Sequence, residues 1–353
     1  MNLFYNSIRI WCRKKLSMIF SVLGLCLCMT FAFPFNIAGK LQTGFSHKLV
    51  YFEKSSETIL VNGGPEKLIS DRRMELWKWV ENTWVKVETP NAPVLRNGFA
   101  VACDSKKEIL YLFGGGDQDK VYSDFWKWDG KSWIQIMGTG PGKRIYAQMC
   151  YNEATQKLVL FGGDRNEGDV IGDTWEFDGK SWSQVSITGP EPRLPGQMEY
   201  FEKKQKVVLY GGLNFSHNGL RNDFNDLWEW DGKDWLKVYD GQGALKTLIH
   251  PGMVLYPESE KMMMFGGSKI INRDGKYENP YTNEVWFWDG VNWHPGMTTA
   301  IGLPGVRSGA SLIFEKDKKR LLLHGGFNVV AGEPLNDTWI YEHGVWRCVF
   351  SCN

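Results

Sequence analysis

Four arginines stand at one repeated address in this sequence. Eighteen residues before the first glycine of a recurring Gly-Gly pair lie Arg96, Arg144, Arg193 and Arg307. In two further copies that address holds Phe45 and Leu248, with His47 and His250 two residues on. A guanidinium presents a planar fork that holds a carboxylate or phosphate at two points, and an imidazole changes charge near neutral pH. Gathered into one ring, such a set would recognise an anion. A residue repeated at one address also suits a repeated scaffold contact, made to a neighbouring carbonyl or a loop carboxylate. Both readings stand on the sequence.

The elements that must position these side chains are repeats. The stretch Asp173-Thr174-Trp175-Glu176-Phe177-Asp178-Gly179-Lys180-Ser181-Trp182 has five relatives, running from Trp77 to Trp84, Trp126 to Trp133, Trp228 to Trp235, Trp286 to Trp293 and Trp339 to Trp346. In each, the paired tryptophans are seven apart and an Asp or Glu stands two before the first. Alternating aromatics around a turn such as Asp-Gly predict a hairpin with a buried pleated face. Upstream of each lies an apolar strand ending in glycines, clearest in Leu158-Val159-Leu160-Phe161-Gly162-Gly163, with counterparts ending at Gly63-Gly64, Gly114-Gly115, Gly211-Gly212, Gly266-Gly267 and Gly325-Gly326.

Six copies at roughly 50-residue intervals match the kelch period, and at these residues the chain resembles the kelch-repeat family. The resemblance spans about residues 41 to 353 and implies an all-β, six-bladed propeller with four antiparallel strands per blade, here called a to d from the axis outward. One such blade cannot bury both of its faces alone, whereas a ring of them can. Each blade is expected to be continuous in sequence, from strand a of blade 1 at about Phe45 to Phe52 through to strand d of blade 6 at Trp346 to Phe350. Blades 6 and 1 would then join by packing, with help from Cys348 or Cys352. Strand a begins at the channel mouth, so the expectation is a broken collar of four guanidiniums and two imidazoles around one opening.

The c to d turns keep one length, whereas 10, 8, 9, 13, 16 and 10 residues separate the Gly-Gly pair from the following Asp or Glu in blades 1 to 6. These b to c loops emerge on the same face as the d to a connections, and recognition is carried disproportionately by loops on a rigid scaffold. That face is the expected binding face. Its candidate contacts are Asp117 and Asp119, Asp164 and Glu167, His217 and Arg221, Lys269 and Arg273, Asn328 and Glu333. The run Asp164 to Asp169 resembles a calcium loop but lacks the full ligand series, so no metal is expected.

The first 39 residues differ in kind. Arg9, Arg13, Lys14 and Lys15 precede an uncharged run from Leu16 to Gly39, the layout of an export signal with cleavage after Ala32 or Ala38. The same run is long enough for an uncleaved anchor, and Cys26 or Cys28 offers lipidation as a weaker route. Residues 1–39 are thus expected to be a signal peptide or membrane anchor and 40–353 an exported propeller, in periplasm, at the cell surface or secreted. With 41 basic and 40 acidic side chains the chain has no electrostatic footprint for nucleic acid, and membrane contact is expected only through an uncleaved leader. Of seventeen tryptophans, twelve are the hairpin pairs, better suited to blade packing than to a binding platform. Beyond the leader stand Cys103, Cys150, Cys348 and Cys352. The first two are expected as buried free thiols, or alternatively as a bridge facing across the interface of blades 2 and 3.

No phosphate loop, CxxC pair, HExxH or GxSxG occurs, and no cofactor is expected. The leading expectation is a non-catalytic recognition module for a protein or glycan. The kelch resemblance also admits a carbohydrate-active enzyme of the sialic acid mutarotase type, acting on an anionic sugar, with no acid and base pair assignable. Copper chemistry of the galactose-oxidase type would need a Tyr and Cys cross-link with two histidines at the axis, which no motif places together. A structural repeat domain without a ligand is the third class.

Overall fold

Each Trp-x-aromatic segment forms strand c and the following Trp opens strand d, because alternating aromatics present one apolar face to bury. Blade 2 shows the pattern: Ala100–Asp104, Ile109–Phe113, Phe125–Trp128 and Trp133–Ile136 pair in that order, all antiparallel. The other five blades repeat it, from His47–Phe52 in blade 1 to Val345–Phe350 in blade 6. The computed structural model describes residues 41–352 apart from 42, 44–45, 64–71, 166–167, 186–188, 216–220, 246, 257–260, 270, 274–275, 279–280, 297–301 and 329–331. The leader expected over 1–39 lies outside the described residues, and no described helix is long and apolar enough to cross a membrane.

Strand a of every blade neighbours strand a of the blades on either side, and blade 6 meets blade 1. Every four-stranded sheet is sequence-continuous, so no strand is exchanged between the chain ends. The core consists of six apolar clusters, each spanning one blade interface. The second tryptophan of a hairpin packs on the strand b residue that precedes the glycine pair in the preceding blade: Trp182 on Phe113 at 5.8 Å, Trp235 on Phe161 at 5.6 Å, Trp293 on Tyr210 at 5.4 Å and Trp346 on Phe265 at 5.3 Å. At the ring closure Trp84 meets His324 instead, at 5.1 Å.

Closure between blades 6 and 1 uses more than packing. Leu49 N donates to Ser311 Oγ at 2.8 Å, Thr58 Oγ1 to Glu315 Oε1 at 2.8 Å and Trp84 Nε1 to Thr338 Oγ1 at 3.0 Å. The Cys348–Cys352 disulfide closes within the end of blade 6 rather than across this interface. Cys103 and Cys150 are free. They do lie on opposite faces of their strands, but each points away from the other: Cys103 packs in the cluster shared by blades 1 and 2, Cys150 in that of blades 3 and 4. Burial pushes the Cys103 thiol up to about 12 and the Cys150 thiol well above its usual range, so neither is a nucleophile at neutral pH.

Two corrections concern register and turn. In blade 1, Asn62 pairs with Glu75 where Gly114 pairs with Asp124 in blade 2. The equivalent of Gly-Gly is therefore Asn62-Gly63, one residue earlier than the sequence pattern suggests. The c to d turns, uniform in spacing, take two forms. Glu81-Asn82 and His343-Gly344 both have positive φ at each position, the two-residue reversal matched to strand twist. In blades 2 to 5 four residues intervene, and the Asp carboxylate accepts two backbone N–H groups, as Asp129 does from Lys131 and Ser132, both at 3.0 Å.

Candidate binding face and channel mouth

The four arginines are the deepest cations among the described residues, 1–2% exposed. Each lies within its own blade. Arg193 Nη1 donates to Gly211 O at 3.2 Å and Asp226 Oδ1 at 2.6 Å, Nη2 to Asp226 Oδ2 at 3.2 Å, and Nε to Glu191 O at 3.0 Å. Arg96 with Asp124, Arg144 with Asp173 and Arg307 with Asp337 repeat the two-point pair. The same carboxylates accept the indole N–H of Trp126, Trp175, Trp228 and Trp339. The carbonyls of Arg144, Arg193 and Arg307 accept the second glycine N–H of the preceding blade, at 2.8 to 3.1 Å. That contact explains the glycines: at Gly114 φ is +63° and an added Cβ would lie 2.6 Å from Arg144 O. The expected open collar is thus corrected to a set of internal clamps, whose forks are spent on scaffold carboxylates.

The repeat itself specifies the partner. Asp stands before Trp in the four blades that carry the arginine, and Glu in the two that do not. Glu75 instead takes Lys86 at 2.8 Å, and Glu284 takes Lys269. Position 45 lies outside the described residues. Of the two histidines, His47 is 5% exposed at the closure, with Nε2 3.0 Å from His324 O. His250 stays at the mouth, exposed, with φ +50° and its carbonyl accepting Gly309 N at 2.8 Å. The surrounding wall, Arg221 and Lys48 push its pKa down to about 4. His250 is therefore neutral at pH 7.

The channel contains groups that the collar pattern missed. Lys48 Nζ from blade 1 reaches Gln197 Oε1 of the opposite blade 4 at 3.4 Å, bridging the axis. Burial raises the pKa of half-buried Glu199 to about 7, with Lys48 opposing. Lys48 is itself lowered by burial, with Glu199 opposing. The signal was a departure from the repeats: aligned by pairing, Lys48 stands where other blades carry Ala100, Gln148, Gln197, Gly252 and Ser311, and Glu199 where they carry Val50, Ala102, Cys150, Val254 and Ile313.

On the loop face, strands b and c of blade 4 run ten residues each, to Phe215 and from Arg221, and those of blade 3 eight. Blade 5 adds a separate hairpin, Ile271–Arg273 with Lys276–Glu278. Arg221 Nε donates to Asp223 Oδ1 at 2.7 Å. The shorter loop of blade 2 is fixed by Asp117, which accepts the N–H groups of Asp119 and Lys120, both at 2.9 Å, and the Tyr122 hydroxyl. Asp117 is therefore a loop brace, while Asp119 and Glu333 are exposed. Asp164 is fully buried, Glu167 and His217 lie outside the described residues, and among those described no three His, Cys, Asp or Glu converge to hold a metal ion. Beside the blade 2 loop lies a depression of about 410 Å³, with Arg73, Lys120 and Tyr122 in its lining.

A family model, the KLHDC2/KLHL20/DRC7 Kelch-repeats domain, matches residues 46–238, more than half of the chain. The chain belongs to the kelch-repeat family. The solved structure of YjhT is similar to this kelch propeller, with a TM-score of 0.63 and 14% identity over 88% of this chain and 99% of that one. At that identity the likeness concerns the fold. No curated protein matches the chain.

Proposed function

We propose that this kelch propeller is an exported recognition module that binds a protein or glycan through its b to c face. The observation that carries the reading is the asymmetry of that face, with the extended hairpin of blade 4 and the added hairpin of blade 5 set against the short loops of blades 2 and 3. The tryptophans that bracket the outer hairpin turns keep one spacing in all six copies. Export rests on the basic front and uncharged run of the leader. The full chain is screened on arrays of glycans and of extracellular proteins, beside a variant whose blade 4 extension, residues 214–222, is replaced by Asn-Gly. Ligands lost with the extension and kept when the exposed outer-strand residues Leu236 and Val345 are changed to Ser support the reading. The reverse pattern contradicts it.

Glu199 favours a second reading, a sugar-transforming enzyme, since a carboxyl poised near pH 7 beside an ammonium is equipped for proton transfer. Acceleration of anomer exchange in an acidic sugar, followed by NMR and reduced at least about 100-fold by Glu199→Gln, would support it. Equal rates with and without protein would end it.

A further inference from the structure

The groove between blades 1 and 2 carries two cations that no described carboxylate neutralises. Arg73 is set there by a backbone ladder: it bridges Val94, with Leu95 N donating to Arg72 O and Met74 N to Pro93 O, both at 2.9 Å. Met74 and Leu95 point into the core, which leaves Arg73 outward and exposed. Its Nη1 touches Ala92 O at 3.3 Å. Lys120 is fixed at its backbone by the Asp117 turn and lies over the Tyr122 ring at 4.8 Å. Among the described residues neither Arg73 nor Lys120 has an ion-pair partner, whereas the one carboxylate in the lining, Asp124, is held by Arg96. A second hollow of about 450 Å³ continues past Arg73 to Thr89 and Asn91.

We propose that this groove binds a carboxylate-bearing sugar, a uronate residue of an acidic oligosaccharide. The proposal rests on the loop-face reading and names its ligand class. Arg73 supplies a fork for the carboxylate and Lys120 a second positive charge. Thr89, Asn91 and Ser123 offer neutral partners for hydroxyls, and Trp126 contributes a wall. An acidic peptide fits less well, because the hollow beyond Arg73 offers neutral polar side chains where a peptide needs apolar pockets or an open strand edge.

Isothermal titration of the full chain with a galacturonate trisaccharide, the neutral galactose trisaccharide and a hexaglutamate peptide tests this. The acidic trisaccharide is expected to bind, the neutral one at least about 10-fold more weakly, and Arg73→Ala or Lys120→Ala to weaken binding by about 10-fold or more, from loss of one charge-assisted contact. Both residues are exposed, so thermal midpoints should stay unchanged. Equal binding of the neutral sugar, undiminished binding by the double variant, tighter binding of the peptide, or no binding of the acidic trisaccharide would each overturn the proposal. If the trisaccharide fails while array ligands still depend on the blade 4 extension, the groove assignment falls and the loop-face reading stands.

Discussion

Arg193 shows which of the two roles left open by its residue type the fold takes up, the scaffold contact. Its guanidinium satisfies four acceptors while almost fully buried, and Asp226 is itself 6% exposed. Breaking a buried ion pair by removing one partner leaves an uncompensated charge and costs about 3–5 kcal/mol. Arg193→Ala should therefore lower unfolding free energy by about that amount in a denaturant titration. Arg193→Lys should restore only part of it, because an ammonium cannot reproduce the planar fork. The double variant Arg193→Ala, Asp226→Ala should be less destabilised than the sum of the single changes. Full stability of Arg193→Lys would contradict the clamp. The address of the arginine was readable from spacing, because eighteen residues is the walk along strand a, around its hairpin and back to the glycine whose carbonyl it meets. Its orientation was not, since spacing carries no information about which side of a strand start a long side chain takes. Lys48 and Glu199 escaped because attention to what recurs passes over the single copy that departs.

Elements were more legible than residues. Period-two aromatics, turn residues and glycine pairs located the strands of every blade, and the fold follows from them because a blade has nothing else to pack its faces on. The misses were local. Asn62-Gly63 was shifted by one because Gly64 completes an apparent pair, and register depends on cross-strand partners that a single strand does not display. Cys103 and Cys150 are free, as the leading expectation had it, and the alternative of a facing bridge fails for a related reason: alternation gives opposite faces but not which face meets which neighbour. Among the described residues of the blade 4 extension, 214–215 and 221–222, none belongs to the interblade clusters. Its replacement by Asn-Gly should leave the thermal midpoint within a few degrees, as expected for a change that removes less than about 1 kcal/mol. A collapse of stability would show that the extension is scaffold rather than a binding element.

The whole ring is closed at one interface without a covalent connection, and that interface carries the imidazole pair. His324 occupies the position that Phe113, Phe161, Tyr210 and Phe265 fill at four of the other interfaces. It is fully buried, with Nδ1 2.9 Å from Thr338 Oγ1, beside His47 and Trp84. Burial, then His47 and Arg307, hold its pKa well below the ordinary 6.5. The unfolded chain therefore binds a proton near pH 6.5 that the folded ring refuses, so stability is present above that value and falls as pH drops below it. The slope approaches about 1.4 kcal/mol per pH unit for this one group. His324→Phe should flatten that part of the stability curve, and an unchanged slope would locate the acid sensitivity elsewhere. None of this was visible before blade 6 was placed against blade 1, since residues 47 and 324 are brought together only by the closed ring.

The most direct test of loop-face recognition is amide hydrogen exchange of the full chain with and without an array ligand. Binding as proposed predicts slowed exchange in the b to c segments, notably 116–123 and 213–223, with the a to b turns at 53–56 and 105–108 unchanged. Protection confined to those a to b turns, on the opposite face, would contradict it.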